Sequence, residues 1–216
     1  MIYTIGHSTL SKEDFLDVVK DVDVILDVRS HPGSVHEQFR KEQLEVWLPE
    51  AGKRYDWEPG LGGWRADHAQ LAPKFADKGV DVMAYTKGKF PKGHITKKTE
   101  TLPLFDGPLA RPIWTNLGFY DYSWFMSLPE FIMTAEGLML RADLLSKSEK
   151  NVGIMCCEVK WWGCHRSMIA DYLWWRGVDS IHLQPRRTNH SSVIGNRFDR
   201  YNPQIIEAWK EWKSRV

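Results

Sequence analysis

The chain has only three cysteines, and two of them, Cys156 and Cys157, are neighbours. That makes a poor disulfide framework, so the thiols are expected to be free and the protein to work in a reducing, cytoplasmic compartment. No apolar run reaches membrane-spanning length, which argues against a membrane helix. The start, Met1-Ile2-Tyr3-Thr4, reads directly as a strand, without the basic and apolar regions of a secretory signal. An excess of one charge is missing too: 29 Lys and Arg face 28 Asp and Glu, for a formal net charge of +1. With that balance there is no global electrostatic argument for a nucleic-acid or membrane partner, and only local patches remain. The sequence shows no internal repeat and no low-complexity tract. No cysteine is followed six residues later by arginine, so the Cys-x5-Arg phosphate loop of cysteine phosphatases is absent.

What is present suits one well-filled core. At 216 residues and 43% hydrophobic content, the expected organisation is a single domain over 1–216. Ile2 to Ile5 reads as a first strand, and Ser11 with Asp14 resembles an N-terminal box for a helix carrying Phe15, Leu16, Val18 and Val19. A second strand is expected over Val22 to Val28. Strand, helix and strand in that order imply a right-handed parallel crossover, so both strands end on the same side and His7 and Ser8 come near Arg29 and Ser30. Further along, a helix is expected over Glu37 to Leu48, with strands at Arg54 to Trp57 and at 80–85. Between them Gly60-Leu61-Gly62-Gly63 forms a permissive loop. The stretch 86–114, rich in Lys, Gly and Pro, has no clean period and reads as a long irregular excursion. Phe131 to Leu145 has helical spacing, and Val152 to Met155 is an apolar run of the kind found in buried parallel strands. Cys164-His165-Arg166 opens a helix with the inward stripe Met168, Ile169, Tyr172 and Leu173, which Gly177 ends before a strand at Ser180 to Leu183. An amphipathic helix at about 203–213 carries Ile205, Ile206, Trp209 and Trp212. The fold class is therefore α/β, a three-layer, Rossmann-like arrangement with a mostly parallel sheet.

Chemistry-bearing residues gather where strands end, which is where open α/β sheets bind ligands. Glu158 is a candidate acid, base or nucleophile, with partial burial expected to raise its pKa toward neutrality, and His165 exchanges protons near neutral pH. The alternative is that Glu158 pairs with Arg166 and His165 merely bonds a backbone carbonyl. Cys164, beside His165 and Arg166 near a helix start, is where a thiolate nucleophile would be stabilised; otherwise it is a small buried hydrophobe. A zinc site from Cys156 or Cys157 with Cys164, His165 and distant His7 is conceivable, but the spacing matches no paired metal-binding element and adjacent strand cysteines point to opposite faces, so at most one of the two enters such a site easily; the expectation is structural thiols and no metal site. Arg29 either binds a phosphate or carboxylate or pairs internally with Asp27. Of eleven tryptophans, Trp57, Trp64, Trp161 and Trp162 adjoin polar motifs and can stack on a base or sugar, whereas Trp174, Trp175, Trp209 and Trp212 are explained by packing. Two basic stretches offer local anion contacts. Lys87, Lys89, Lys92, Lys97 and Lys98 read as solvated, and Arg186, Arg187, Arg197 and Arg200 are the better candidates.

In order along the chain, Thr4-Ile5-Gly6-His7-Ser8, Asp27-Val28-Arg29-Ser30 with Pro32 and Ser34, Leu61-Gly62-Gly63, Phe119 to Tyr122 with Met126, and Cys157-Glu158 leading to Cys164-His165-Arg166 resemble the bacterial and archaeal family catalogued as domain of unknown function 488. The resemblance implies a compact intracellular α/β domain with a polar site at those positions, and no established reaction. Trp161-Trp162 and the basic stretch after Leu183 depart from the family pattern.

The expected function is an enzyme acting on a nucleotide, nucleoside or nucleic-acid-derived anionic substrate. Arg29 and Arg166 hold the anion, His7, Ser8 and Ser30 position it, Trp161 and Trp162 supply stacking surfaces, and Glu158, His165 and Cys164 carry the chemistry, with no cofactor specified. The alternatives are a noncatalytic nucleotide or nucleic-acid binding module, and a protein-interaction domain using the Trp-rich terminal helix.

Overall fold

A computed structural model describes residues 1–63, 117–201 and 203–215. Trp64, the strand expected at 80–85, and the excursion at 86–114 with its lysines lie outside the described residues. The chain divides into two compact units, Met1–Trp64 with Pro129–Gly195, and Arg65–Leu128 with Asn196–Val216.

The first unit holds a six-stranded sheet in the order β3-β2-β4-β1-β5-β6. Its strands are β1 (Ile2–Gly6), β2 (Val24–Asp27), β3 (Arg54–Trp57), β4 (Val152–Cys156), β5 (Ser180–His182) and β6 (Thr188–Asn189). The first five are parallel, and β6 pairs antiparallel with β5 at the edge. The fold is α/β and Rossmann-like. The residues of β1, β2 and β4 are buried throughout, which is why these strands read as unbroken apolar runs rather than as alternation. One difference from the expected crossover matters for the site: β1 and β2 end on the same side but are not neighbours, because β4 lies between them.

Helices α1 (Lys12–Val18) and α2 (Lys41–Glu50) cover one face. Tyr3, Ile5, Ile25 and Met155 of the sheet pack there with Phe15, Val19, Val22, Phe39, Leu44, Trp47 and Leu48. Burying one such large side chain stabilises the fold by about 1.5–3 kcal/mol. Ser11 caps α1 as its spacing predicts, its Oγ accepting from the Asp14 N–H at 3.0 Å, a contact worth about 1 kcal/mol. Strand β2 starts two residues later than expected, because the Val22 N–H closes a turn onto Val19 O. The single helix expected over 37–48 is broken. Glu37–Phe39 is a 3-10 turn, Arg40 is extended (φ −72°, ψ 145°), and α2 follows. The break lets Phe39 reach the core as a separate anchor.

In chain order the next helices are α3 (Leu117–Phe125), α4 (Pro129–Ser146) and α5 (Arg166–Trp175). The opposite sheet face is covered by α4 and α5, whose Phe131 and Tyr172 rings meet edge to face at 5.4 Å. Arg166 through Leu173 are all buried, so the first eight residues of α5 are enclosed on every side and not only along the expected stripe, while Trp174 beyond them is exposed. It begins at Arg166; Cys164 is extended (φ −135°, ψ 144°) and stands before it.

The second unit contains α3, a 3-10 turn at Arg197–Arg200, and α6 (Pro203–Lys213). Trp209 of α6 is fully buried and donates its indole N–H to Met126 O at 2.7 Å. This is the internal packing role expected from its helical position.

Candidate functional site

The connection from β1 to β2 runs across the sheet in one direction, past β4, and that from β4 to β5 runs in the other, past β1. Right-handed crossovers in opposite directions put their helices on opposite faces, so the chain parts at the carboxyl ends of β1 and β4 and leaves a crevice there. Backbone pairing holds its rim: His7 N–H bonds Cys156 O at 3.0 Å, Ser8 N–H bonds Cys157 O at 2.8 Å, and Val28 N–H bonds Met155 O at 3.0 Å. Ser8 adopts φ 42°, a left-handed conformation that costs a non-glycine residue about 1 kcal/mol and turns the chain away from the sheet.

On the α1/α2 side of this edge the sequence brings together His7, Asp27 and Arg29. Asp27 takes Nε of Arg29 at 2.8 Å and Nη2 at 2.6 Å, so the internal ion pair is formed and buried. Arg29 Nη1 donates to His7 Nε2 at 3.1 Å. His7 Nδ1 lies 3.1 Å from Ser8 O, and its ring stacks on Phe39 at 4.3 Å. Burial first, and the Arg29 charge second, lower its pKa to about 4, so His7 is neutral at physiological pH and receives the Arg29 proton donor. Two further residues, Tyr55, which was not expected, and Trp57, which was expected near the polar motifs, complete the cluster. Tyr55 donates its hydroxyl to Asp27 Oδ2 at 2.8 Å, and Trp57 donates its indole N–H to Arg29 O at 2.9 Å while staying 40% exposed. Tyr55 was legible only once β3 was known to lie beside β2, where Ile25 and Tyr55 share a register.

On the α5 side lie Cys156, Cys164, His165 and Glu158. His165 Nδ1 is 3.9 Å from Cys156 Sγ and 3.8 Å from Cys164 Sγ. Its other nitrogen, Nε2, meets Val28 O at 3.2 Å. A carbonyl can only accept, so Nε2 carries the proton and Nδ1 presents its lone pair to both thiols. Cys156 Sγ donates to Glu158 Oε2 at 3.3 Å. The expected upward shift of Glu158 is reversed. Burial acts upward, but hydrogen bonds from Cys164, Cys157 and Cys156 outweigh it and hold the carboxyl at about 2. Cys156 moves the other way. Its bond with Cys157 favours the thiolate, but Cys164 and burial overcome that and push the thiol up to about 11.

Arg166 and Trp161 have other tasks than those expected of them. Arg166 is completely buried, and its guanidinium donates to the backbone oxygens of Ile5, Glu158 and Val159. It bonds the Glu158 carbonyl, not its carboxylate, and so ties β1 to the loop after β4. Trp161 is buried with one ring face 4.1 Å from His182, parallel to within 2°; Trp162 remains 49% exposed. Ser30 stands at the rim, where an added Cβ on Gly62 would meet its Cα at 2.9 Å. A cavity of about 390 Å³ between β2 and α4, with Leu26, Glu58, Leu138 and Arg141 among its walls, includes none of these candidate residues.

Behind Trp161 runs a hydrogen-bonded chain that no local spacing announced. Thr4 Oγ1 is 2.7 Å from His182 Nδ1, His182 Nε2 is 2.9 Å from His190 Nδ1, and His190 Nε2 is 2.9 Å from Asp171 Oδ1. All four side chains are buried. With Asp171 accepting, each imidazole that donates from Nε2 accepts at Nδ1, so the donors run from Thr4 through both rings to the carboxylate.

These features define an α/β protein with a parallel sheet and a polar site at a topological switch point. The chain resembles the family described as Domain of unknown function DUF488, which matches residues 13–88, about a third of the length. The match takes in β2, β3, Arg29 and the Gly62-Gly63 turn, and leaves out β1 and the edge of β4. No curated protein and no solved structure matches the chain. Among the described residues no helix is long and apolar enough to cross a membrane.

Proposed function

We propose that the protein is an enzyme acting on a nucleotide, nucleoside or nucleic-acid-derived anionic substrate in the crevice beyond β1, β2 and β4. The observation that carries this reading is the convergence, at one switch point, of the Arg29-His7 cluster with Glu158 and the thiol-imidazole group. Arg29 spends Nε and one N–H of each terminal nitrogen on Asp27 and His7; its other two N–H groups are the ones offered to an anion, and Ser8 and Ser30 follow His7 and Arg29 in the chain. The exposed indole of Trp57, fastened to Arg29 O, takes over the stacking role first assigned to Trp161, and exposed Trp162 offers a second face. Glu158, held ionised, accepts a proton, while His165 and Cys164 complete the reacting side. Arg166 positions this edge through its carbonyl contacts and does not bind substrate. Arg187 is engaged by Asp21 at 2.9 Å and stands 5.3 Å over the Tyr3 ring, which favours a small substrate over a long strand. The free thiols suit a cytoplasmic setting.

The test is thermal stability against nucleotides, nucleosides, short nucleic acids and sugar phosphates, followed by turnover of whatever binds. A ligand at about 100 times its Kd stabilises the fold by about 2.7 kcal/mol. That shift should be lost in Arg29→Lys, which keeps the charge opposite Asp27 but not the fork. Glu158→Gln should retain binding and lose turnover. Binding without turnover in the unaltered protein would identify a noncatalytic module, and no shift from any of these ligands would refute the substrate class.

A further inference from the structure

We propose that Cys156, Cys164 and His165 bind a zinc ion, with the fourth position left to water or substrate and Glu158 beside it. The donor atoms of Cys156, Cys164 and His165 all lie within 4.8 Å of one another. Tetrahedral zinc, with bonds of about 2.3 Å to sulfur and about 2.0–2.1 Å to nitrogen, places a sulfur and a nitrogen about 3.6 Å apart. The observed separations are 3.9 and 3.8 Å, so a contraction of a few tenths of an ångström closes the site. Glu158 Oε2, 3.3 Å from Cys156 Sγ, stands next to this trio without joining it.

Three independent features point to an ion rather than to packed thiols. The first is the tautomer of His165. With Nε2–H donated to Val28 O, the Nδ1 lone pair is aimed at two sulfurs, the arrangement in which a backbone carbonyl orients a metal-binding histidine. Gly63 supplies the second. A Cβ there would press on the face of the His165 ring, 2.7 Å from Cγ and 3.0 Å from Cε1, so glycine lets the backbone lie against the imidazole and holds it with its in-plane lone pair toward the sulfurs. The third is charge. Two thiols and a carboxylate are gathered where the neighbouring guanidiniums are committed elsewhere, Arg166 to backbone oxygens and Arg29 to Asp27. A divalent cation with affinity for sulfur would displace the two thiol protons to solvent and bind the resulting thiolates, and two thiolates with one imidazole favour zinc over magnesium or calcium. From the sequence this ligand set carries little weight, because its ligands come as Cys-x7-Cys-His across a loop, outside the usual paired spacings. The expectation that only one of Cys156 and Cys157 can enter is retained, with buried Cys156 inside and exposed Cys157 outside.

The inference does not rest on the nucleotide reading, because metal uptake is measured without substrate. Protein purified under reductant should hold one zinc per chain by elemental analysis. After removal of zinc by a chelator, cobalt(II) should restore a thiolate-to-metal charge-transfer band with the visible bands of a tetrahedral ion. Cys164→Ser should lose about half of the charge-transfer intensity per bound cobalt, because one of two sulfurs is gone, and should bind zinc at least about tenfold more weakly. Cys157→Ser should match the parent protein in both respects, and circular dichroism shows whether each variant is folded. Substoichiometric zinc with no cobalt band in the reduced, folded parent would overturn the proposal. So would equal losses in Cys157→Ser and Cys164→Ser, which would move the ion to the exposed edge.

Discussion

His7 makes stability depend on pH in a window that can be isolated. Its ring is 3% exposed and its pKa is lowered from 6.5 to about 4, by burial first and by Arg29 second. Asp27, which faces it across Arg29, acts in the opposite sense, and His36 adds to the lowering. Below 6.5 the unfolded chain takes a proton that the native ring refuses, so the stability is fully present above that pH and is lost as pH falls toward 4. For these two values the loss between about pH 7 and pH 5 is about 2 kcal/mol. Urea unfolding at the two pH values, on the parent and on His7→Gln, measures it; the glutamine is uncharged and still offers Arg29 an acceptor. Other histidines contribute equally to both proteins and cancel in the difference. Glu158 does not intrude, because a carboxyl lowered from 4.5 to about 2 loses its contribution only below the window. The parent should therefore lose about 2 kcal/mol more than the variant. Equal losses would refute the assignment of His7 as a buried neutral acceptor.

Gly6→Ala should destabilise the protein by about 3 kcal/mol in thermal or urea unfolding, because the new methyl would press on the Glu158 carbonyl, with its carbon 2.5 Å away, and that carbonyl is backbone and cannot swing aside. A loss under about 1 kcal/mol would show that the loop after β4 yields freely. His190→Ala should cost about 1–3 kcal/mol, since it removes the imidazole that donates to the buried Asp171 carboxylate. His190→Ala with Asp171→Leu should recover part of that loss, whereas strictly additive losses would show that the chain of hydrogen bonds is not coupled.

Much of the fold is written in runs of neighbouring residues. Val152 to Met155 is apolar throughout because β4 is covered on both faces, and Ser11-x-x-Asp14 is a local cap that needs nothing distant to form. The motif residues His7, Arg29, Glu158 and His165 were legible for the same reason: each follows a recognisable strand or precedes a recognisable helix. The order of the strands was not. By inserting β4 between β1 and β2, the tertiary structure placed His165 under Val28 O and set its tautomer, and it brought Tyr55 to Asp27. It also turned Arg166 from a free cation into a clamp on three carbonyls, and joined Thr4, His182, His190 and Asp171 across the chain. Glu158 shows the physical reason most directly. Burial alone raises a carboxyl, hydrogen bonds lower it, and which effect prevails depends on thiols whose positions are set by packing. The sequence determines which groups are present and which elements carry them, because propensity and burial are local. Only the folded chain decides which groups meet, and their protonation and chemistry depend on that.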